Sequence, residues 1–260
     1  MLTQSMIDKG RWWGKGLQLI DGCTPCSLGC NFCWSANLSY RFQRDEFGWP
    51  IFTYQYYLAF NGDIKLHPDR LAVPLKRKKP TVWAIWNDLF HEAVPGKFIN
   101  EAWMAMFNTK HHVFLILTKR PQILKRWTQA ASTAKAWPSH EIWPDHVYLG
   151  LTICTQQEAD EKIPIFLQVP GKKFLSIEPM LENIKIPSVL LTGFKNVILG
   201  CETIGSHPGR EMKLAWAESI AEQCEAANVP LFVKQLNING KVSKNEMEWP
   251  EKLRKRNIAW

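Results

Sequence analysis

The chain has 260 residues, 46% of them hydrophobic, enough for a large domain with a real core, yet no apolar run approaches the roughly 20 residues that span a bilayer, which argues against a membrane protein. Lys and Arg outnumber Asp and Glu by 32 to 24, a net charge of +8, which favours an anionic partner such as nucleic acid. No fixed-period repeat, low-complexity tract or Gly/Ser linker interrupts it, so residues 1–260 are expected to form a single domain.

The opening stretch MLTQSMIDKGRWWGKG carries no apolar segment of the kind an export signal needs, and a cytoplasmic location is expected. In that reducing compartment, clustered thiols read as metal ligands or catalytic groups rather than as disulfides. The first predicted strand, GLQLIDG (16–22), runs straight into DGCTPCSLGCNFCWSAN (21–37). Four of the chain's seven cysteines, Cys23, Cys26, Cys30 and Cys33, fall there within eleven positions.

The next segment, 38–80, is dense in aromatic, proline and basic residues and reads as an insertion after the cysteine loop. From residue 81 short apolar runs alternate with helix-like stretches. The predicted strands are TVWAIWN (81–87), VFLILTK (113–119), VYLGLTI (147–153), KFLSIEP (173–179), NVILGCE (196–202) and PLFVKQ (230–235). Helical spacing of apolar residues marks 97–110, 121–135, 156–168 and 212–227. The alternation predicts an α/β fold: a full or partial (β/α) barrel of about six to eight parallel strands, with a flavodoxin-like open sheet as the competing topology.

Polar or ionisable residues follow nearly every predicted strand: Asn87 and Asp88; Thr118, Lys119 and Arg120; Thr152; Ser176 and Glu178; Glu202; Lys234 and Gln235. In barrels the carboxyl ends of the strands are where active sites are built. Each residue taken singly also fits a helix cap or turn.

Cys26, Cys30 and Cys33 have the spacing C-x3-C-x2-C in the loop after the first strand. Three thiolates on one short loop suit three corners of an iron-sulfur cubane, whereas zinc ordinarily takes four ligands in a tetrahedron. An open fourth iron is able to chelate S-adenosylmethionine. The spacing, its loop position, the expected barrel and Trp34 after the last cysteine together resemble the radical S-adenosylmethionine enzymes. Beyond the loop, FNGDIKLHPDRLAVPLKRKKP, NDLFHEAVP, LTKRP, YLGLTI, SIEPML and LFVKQ are similar to the phage Gp37/Gp68 (DUF5131-like) family, from about Trp13 to Leu236.

These resemblances imply a radical-SAM-like barrel, a 4Fe-4S cluster and S-adenosylmethionine as cofactors. Many family members carry cysteines at the places matching Cys23, Cys30 and Cys33, so ligand sets 26/30/33 and 23/30/33 both stand. No GGE follows the second predicted strand, and Asn87 and Asp88 are the candidates to take over its role with the methionyl amino group. Trp34, Lys119, Arg120, Thr152, Ser176 and Glu178 complete the cofactor candidates, Glu178 toward a ribose hydroxyl. Cys201, Glu202 and Lys234 are the catalytic candidates, Cys201 as a hydrogen-atom donor.

His91 fits a capping or packing role as well as a ligand's. Trp83 and Trp86 are expected in the core. The basic run LKRKK (75–79) and the aromatic-rich first half suggest a groove for a nucleic acid or nucleotide substrate. Two alternatives remain: a radical enzyme acting on a peptide or partner protein, and a non-enzymatic, metal-stabilised nucleic-acid-binding protein.

Overall fold

The computed structural model describes residues 1–36, 62–133, 143–204 and 207–260. Most of the anticipated insertion, residues 38–61, lies outside the described residues. The strands are β1 (Lys15–Leu17), β2 (Ile20–Asp21), β3 (Lys65–Leu66), β4 (Val82–Ile85), β5 (Val113–Thr118), β6 (Val147–Ile153), β7 (Lys172–Ile177), β8 (Asn196–Gly200), β9 (Thr203–Ile204), β10 (His207–Pro208), β11 (Leu231–Ile238) and β12 (Lys241–Ser243). An eight-stranded sheet runs in the order β1-β4-β5-β6-β7-β8-β11-β12, parallel up to β11, with β12 returning antiparallel along β11.

Two short helices, α1 (Gln4–Ile7) and α2 (Ala72–Lys76), precede β1 and β4, and α3 (Gly96–Phe107), α4 (Pro121–Thr133), α5 (Gln156–Leu167), α6 (Ser188–Leu191) and α7 (Leu214–Ala226) follow β4, β5, β6, β7 and β8. Every residue of β4, β6 and β8 is buried, which explains why those strands read as unbroken apolar runs: both faces of the sheet are covered. One face packs against the helices, through residues such as Trp83, Ile116, Leu149, Leu175 and Val197.

The other face holds a second core of Val82, Leu115, Tyr148, Phe174, Ile198 and Phe232, sealed by Trp12. Trp260 joins it, its ring centroid 6.1 Å from Trp12 and 5.3 Å from Phe174. The Trp260 indole donates to the Trp12 carbonyl at 3.1 Å, and the Tyr148 hydroxyl donates to the Ala259 carbonyl at 3.1 Å. Gly150 on β6 has no room for a side chain, since a Cβ there would stand 2.3 Å from the Phe174 ring.

The sheet is curved but open. Among the described residues no ladder joins β1 to β11 or β12, so of the expected full or partial barrel the closed form is corrected: the sheet is open and mostly parallel. Its curvature follows from the segment before β1. The Gly14 N–H donates to the Val82 carbonyl at 2.9 Å, while a Cβ on Gly10 would lie 2.4 Å from the Lys234 carbonyl oxygen. In a flat sheet β4 and β11 would be about 24 Å apart at ~4.8 Å per strand. Four extended residues reach only about 14 Å. The strands therefore wrap toward each other, and residues 10–14 bridge the interval that a barrel would close with hydrogen bonds.

Candidate functional site

The aromatic seal fills only the amino half of the inner face. Toward the carboxyl ends of the strands lies a cavity of about 430 Å³. The loop after β2 borders it with Cys23, Cys26, Cys30 and Cys33, and of the strand-end candidates Asn87, Asp88, Thr118, Lys119, Arg120, Thr152, Glu178 and Lys234 also border it. Residues distant in sequence thus converge on one hollow.

The cysteine loop is held from several sides. At its base β2 pairs with β3, and Gly22 is needed there twice over, for its φ of +86° and because a Cβ would collide with the Asp63 carbonyl. The Ser27 hydroxyl accepts from the Gly29 N–H at 3.1 Å, capping a helical turn over Leu28–Cys30. A Cβ on Gly29 would stand 2.3 Å from the Sγ of Cys154, so a side chain at 29 would push the loop off β6.

Arg120 ties this loop to two strands. Its Nη2 donates to the Thr24 carbonyl at 2.8 Å, its Nη1 to Asp88 at 3.0 Å and its Nε to Glu92 at 3.0 Å. Asp88 also accepts the Phe90 and Lys119 N–H groups. Asn87, at a φ of +62°, donates to the Ile20 carbonyl at 2.8 Å and accepts from the Ser35 hydroxyl. The polar atoms of Asn87 and Asp88 are thus engaged in holding the loop. His91 acts in the same bracing set: its Nδ1 accepts from the Ala93 N–H, leaving Nε2 to donate to the Thr24 hydroxyl at 2.7 Å. Burial and the neighbouring Arg120 charge lower its pKa and keep it neutral.

The catalytic candidates divide. Lys234 reaches the cavity and pairs with Glu178 at 2.8 Å, while the Ser176 hydroxyl donates to the other Glu178 oxygen at 3.3 Å. Cys201 is buried in the helix-side core, its thiol pushed up to about 12 by burial. Glu202 is buried as well and grips Arg210, accepting from its Nε at 2.8 Å and its backbone N–H at 2.9 Å. That guanidinium donates to the Leu28 carbonyl at 2.8 Å and stands over the Phe32 ring at 5.6 Å. Glu202 thus acts on the cysteine loop through Arg210. Ser176 is buried behind Glu178.

The thiols are not equivalent. A hydrogen bond from Cys26 brings Cys30 down to about 5, with Lys119 adding to the effect, and the same bond raises Cys26. Cys23 is pushed up to about 11 by burial, partly offset by Arg120, whose Nη1 lies 3.7 Å from its sulfur. Burial opposes the charge on Lys119, but thiols outweigh it: Cys154, Cys30, Cys33 and Cys26 raise its pKa. Among the described residues no three His, Cys, Asp or Glu side chains are grouped as a single metal ion would need.

Several contributors escaped the sequence reading. Cys154 directly follows β6 and obeys the strand-end rule that found Thr152. Arg210 carried no local signal. Trp86, expected in the core like the buried Trp83, instead borders the cavity. The basic run Lys76–Lys79 lies with Lys15 and Trp83 beside the amino ends of β1 and β4, at the opposite end of the sheet from the cysteines.

Among the described residues no helix is long and apolar enough to cross a membrane. No curated protein and no solved structure matches the chain. A family model described as "Protein of unknown function (DUF5131)" matches residues 8–257, and the chain belongs to that family.

Proposed function

We propose that this protein is an iron-sulfur enzyme of the radical S-adenosylmethionine type acting on a nucleic acid or nucleotide. The observation that carries the reading is the convergence of Cys26, Cys30 and Cys33 on a cavity at the carboxyl ends of a curved parallel sheet, with the half-buried cation Lys119 close enough to the thiols for them to raise its pKa. The curved, open sheet suits the partial barrel of that class.

Cys26, Cys30 and Cys33 would hold the cluster. When bound, a 4Fe-4S centre with three thiolate ligands offers an open iron to S-adenosylmethionine and an electron for its reductive cleavage. Three thiols on one short loop suit a cluster better than zinc, which ordinarily takes four ligands in a tetrahedron. Cys30 favours the thiolate, the form that ligates iron. Lys119 offsets negative charge that three thiolates would otherwise leave in a partly dry site. Arg120 and Arg210 fix the loop from opposite ends, through Thr24 and Leu28. The ion pair of Glu178 and Lys234 presents paired polar atoms at the cavity wall.

Anaerobic reconstitution with iron and sulfide tests the reading. Brown protein with about four irons per chain, releasing 5'-deoxyadenosine from S-adenosylmethionine under reduction, is expected. Colourless protein holding stoichiometric zinc would sink it.

A further inference from the structure

One part of the cavity wall is made by the segment before β1 together with Trp34, the residue after Cys33. Trp13 and Trp34 both stand nearly perpendicular to Trp86, with ring centroids 6.1 and 5.2 Å away and interplanar angles of 85° and 79°. Trp34 is half exposed. The Arg11 guanidinium lies 5.0 Å from the centre of the Trp13 ring and donates to the Gly14 carbonyl at 3.0 Å, so cation and ring are fixed together.

Charge on the wall is unbalanced. The two carboxylates bordering the cavity are already paired, Asp88 with Arg120 and Glu178 with Lys234. Lys9, Arg11 and Lys244 also border it, and among the described residues none of the three forms an ion pair. The exposed indole of Trp34 and the half-buried indole of Trp13, beside unpaired cations, suit a ligand that is planar and aromatic at one end and anionic at the other.

We propose that this wall is a nucleotide grip: a base stacks on Trp13 or Trp34 while Arg11 and Lys9 meet its phosphate, and the basic run Lys76–Lys79 takes no part. The proposal rests on the nucleic-acid reading above and gives that substrate a place. Stacking is indifferent to base identity, because every base has a π-face. Specificity, where it exists, must therefore come from deeper in the cavity.

The test is fluorescence anisotropy with a labelled single-stranded 12-mer deoxyoligonucleotide, using reconstituted protein and salt titrations from about 50 mM upward. Trp13→Leu should weaken binding roughly five- to hundredfold with an unchanged salt slope, and Trp13→Phe should restore most of it. Arg11→Gln should weaken binding and lower the slope by about 0.7, the value for one phosphate on a single strand. The triple change Lys76→Gln, Lys78→Gln, Lys79→Gln should leave both unchanged. Competition by deoxynucleoside monophosphates at concentrations matching the oligonucleotide's affinity would assign the grip to a free nucleotide, and failure to compete would assign it to a strand. Iron content and thermal midpoint, measured on every variant, separate lost binding from lost folding. Loss of binding in the triple variant but not in Trp13→Leu or Arg11→Gln would overturn the proposal. So would wild-type protein with about four irons that binds neither probe at low salt, and that outcome would leave the cluster reading standing. Oligonucleotide binding by wild-type protein that takes up no iron on reconstitution would keep the grip and sink the cluster reading.

Discussion

Asp88 and Arg120, on adjacent strand ends, form a buried ion pair 3.0 Å apart whose free donors reach the carbonyl of Thr24, inside the cysteine loop. The pair therefore ties the loop to β4 and β5. Its carboxylate also accepts two backbone N–H groups, from Phe90 and Lys119, so it is satisfied on several sides, as a buried charge must be.

Asp88→Asn keeps the shape and removes the charge. It should cost about 3 kcal/mol, because Arg120 is left buried with only the exposed Glu92 to face it. Arg120→Met should cost a similar amount. In urea unfolding, the double variant should lose clearly less than the two single losses combined. Simple additivity would show that the two side chains stabilise the fold independently.

Gly29 packs where Cys154 leaves no space for a Cβ. Gly29→Ala should displace the loop and reduce iron loading while the far-ultraviolet circular dichroism stays unchanged. Cys154→Ala removes the obstructing sulfur, so the double variant should regain loading. If Gly29→Ala loads iron normally, the contact does not hold the loop. If the double variant fails to recover, the obstruction is not the Cys154 sulfur.

The strands were legible in the sequence because burial on both faces turns each into an apolar run; VYLGLTI coincides with β6 from end to end. The convergence of the strand ends was legible for a similar reason, since a polar residue closing such a run marks the edge of the core. What failed was any feature fixed by a distant partner. Nothing local to Cys201 and Glu202 shows that one faces the helix layer while the other binds Arg210. Nor could Trp83 and Trp86 be separated by composition. Alternation along β4 puts them on opposite faces, and only the aromatic seal at the amino half decides which face stays hollow. Openness was hidden too, because bridging by residues 10–14 replaces strand pairing with single contacts.

Cys26 and Cys30 share a proton through their hydrogen bond, so the first deprotonation belongs to the pair and is carried mainly by Cys30, near 5. A thiol with a lowered folded-state value stabilises the fold above its unfolded value, and that contribution is lost as pH falls through about 5. Iron-free protein labelled with iodoacetamide should modify Cys30 ahead of Cys23, which burial holds near 11. Mass spectrometry of the peptides across a pH series reads this directly. Labelling of Cys30 only above about pH 8, the ordinary thiol range, would contradict it.

Ligand choice separates the two sets that share Cys30 and Cys33. Cys23 sits half-buried at the base of the loop, its thiol donating to the Thr24 carbonyl at 3.6 Å and its sulfur facing Arg120. To ligate iron it would have to lose its proton against burial. Cys26 is the exposed thiol of the loop and shares a proton with Cys30; that bond and burial both raise its thiol, so the case for it as a ligand is its place, four residues before Cys30 on the same short turn, where a bound metal would displace the shared proton. Cys26→Ala should therefore abolish the cluster's visible absorbance and reduce bound iron to background. Cys30→Ala and Cys33→Ala should do the same. Cys23→Ala should keep about four irons per chain and cost no more than about 1 kcal/mol, the scale of the weak contacts it loses. A full cluster in Cys26→Ala together with loss in Cys23→Ala would reverse the assignment and make Arg120, already beside that sulfur, a neighbour of the cluster.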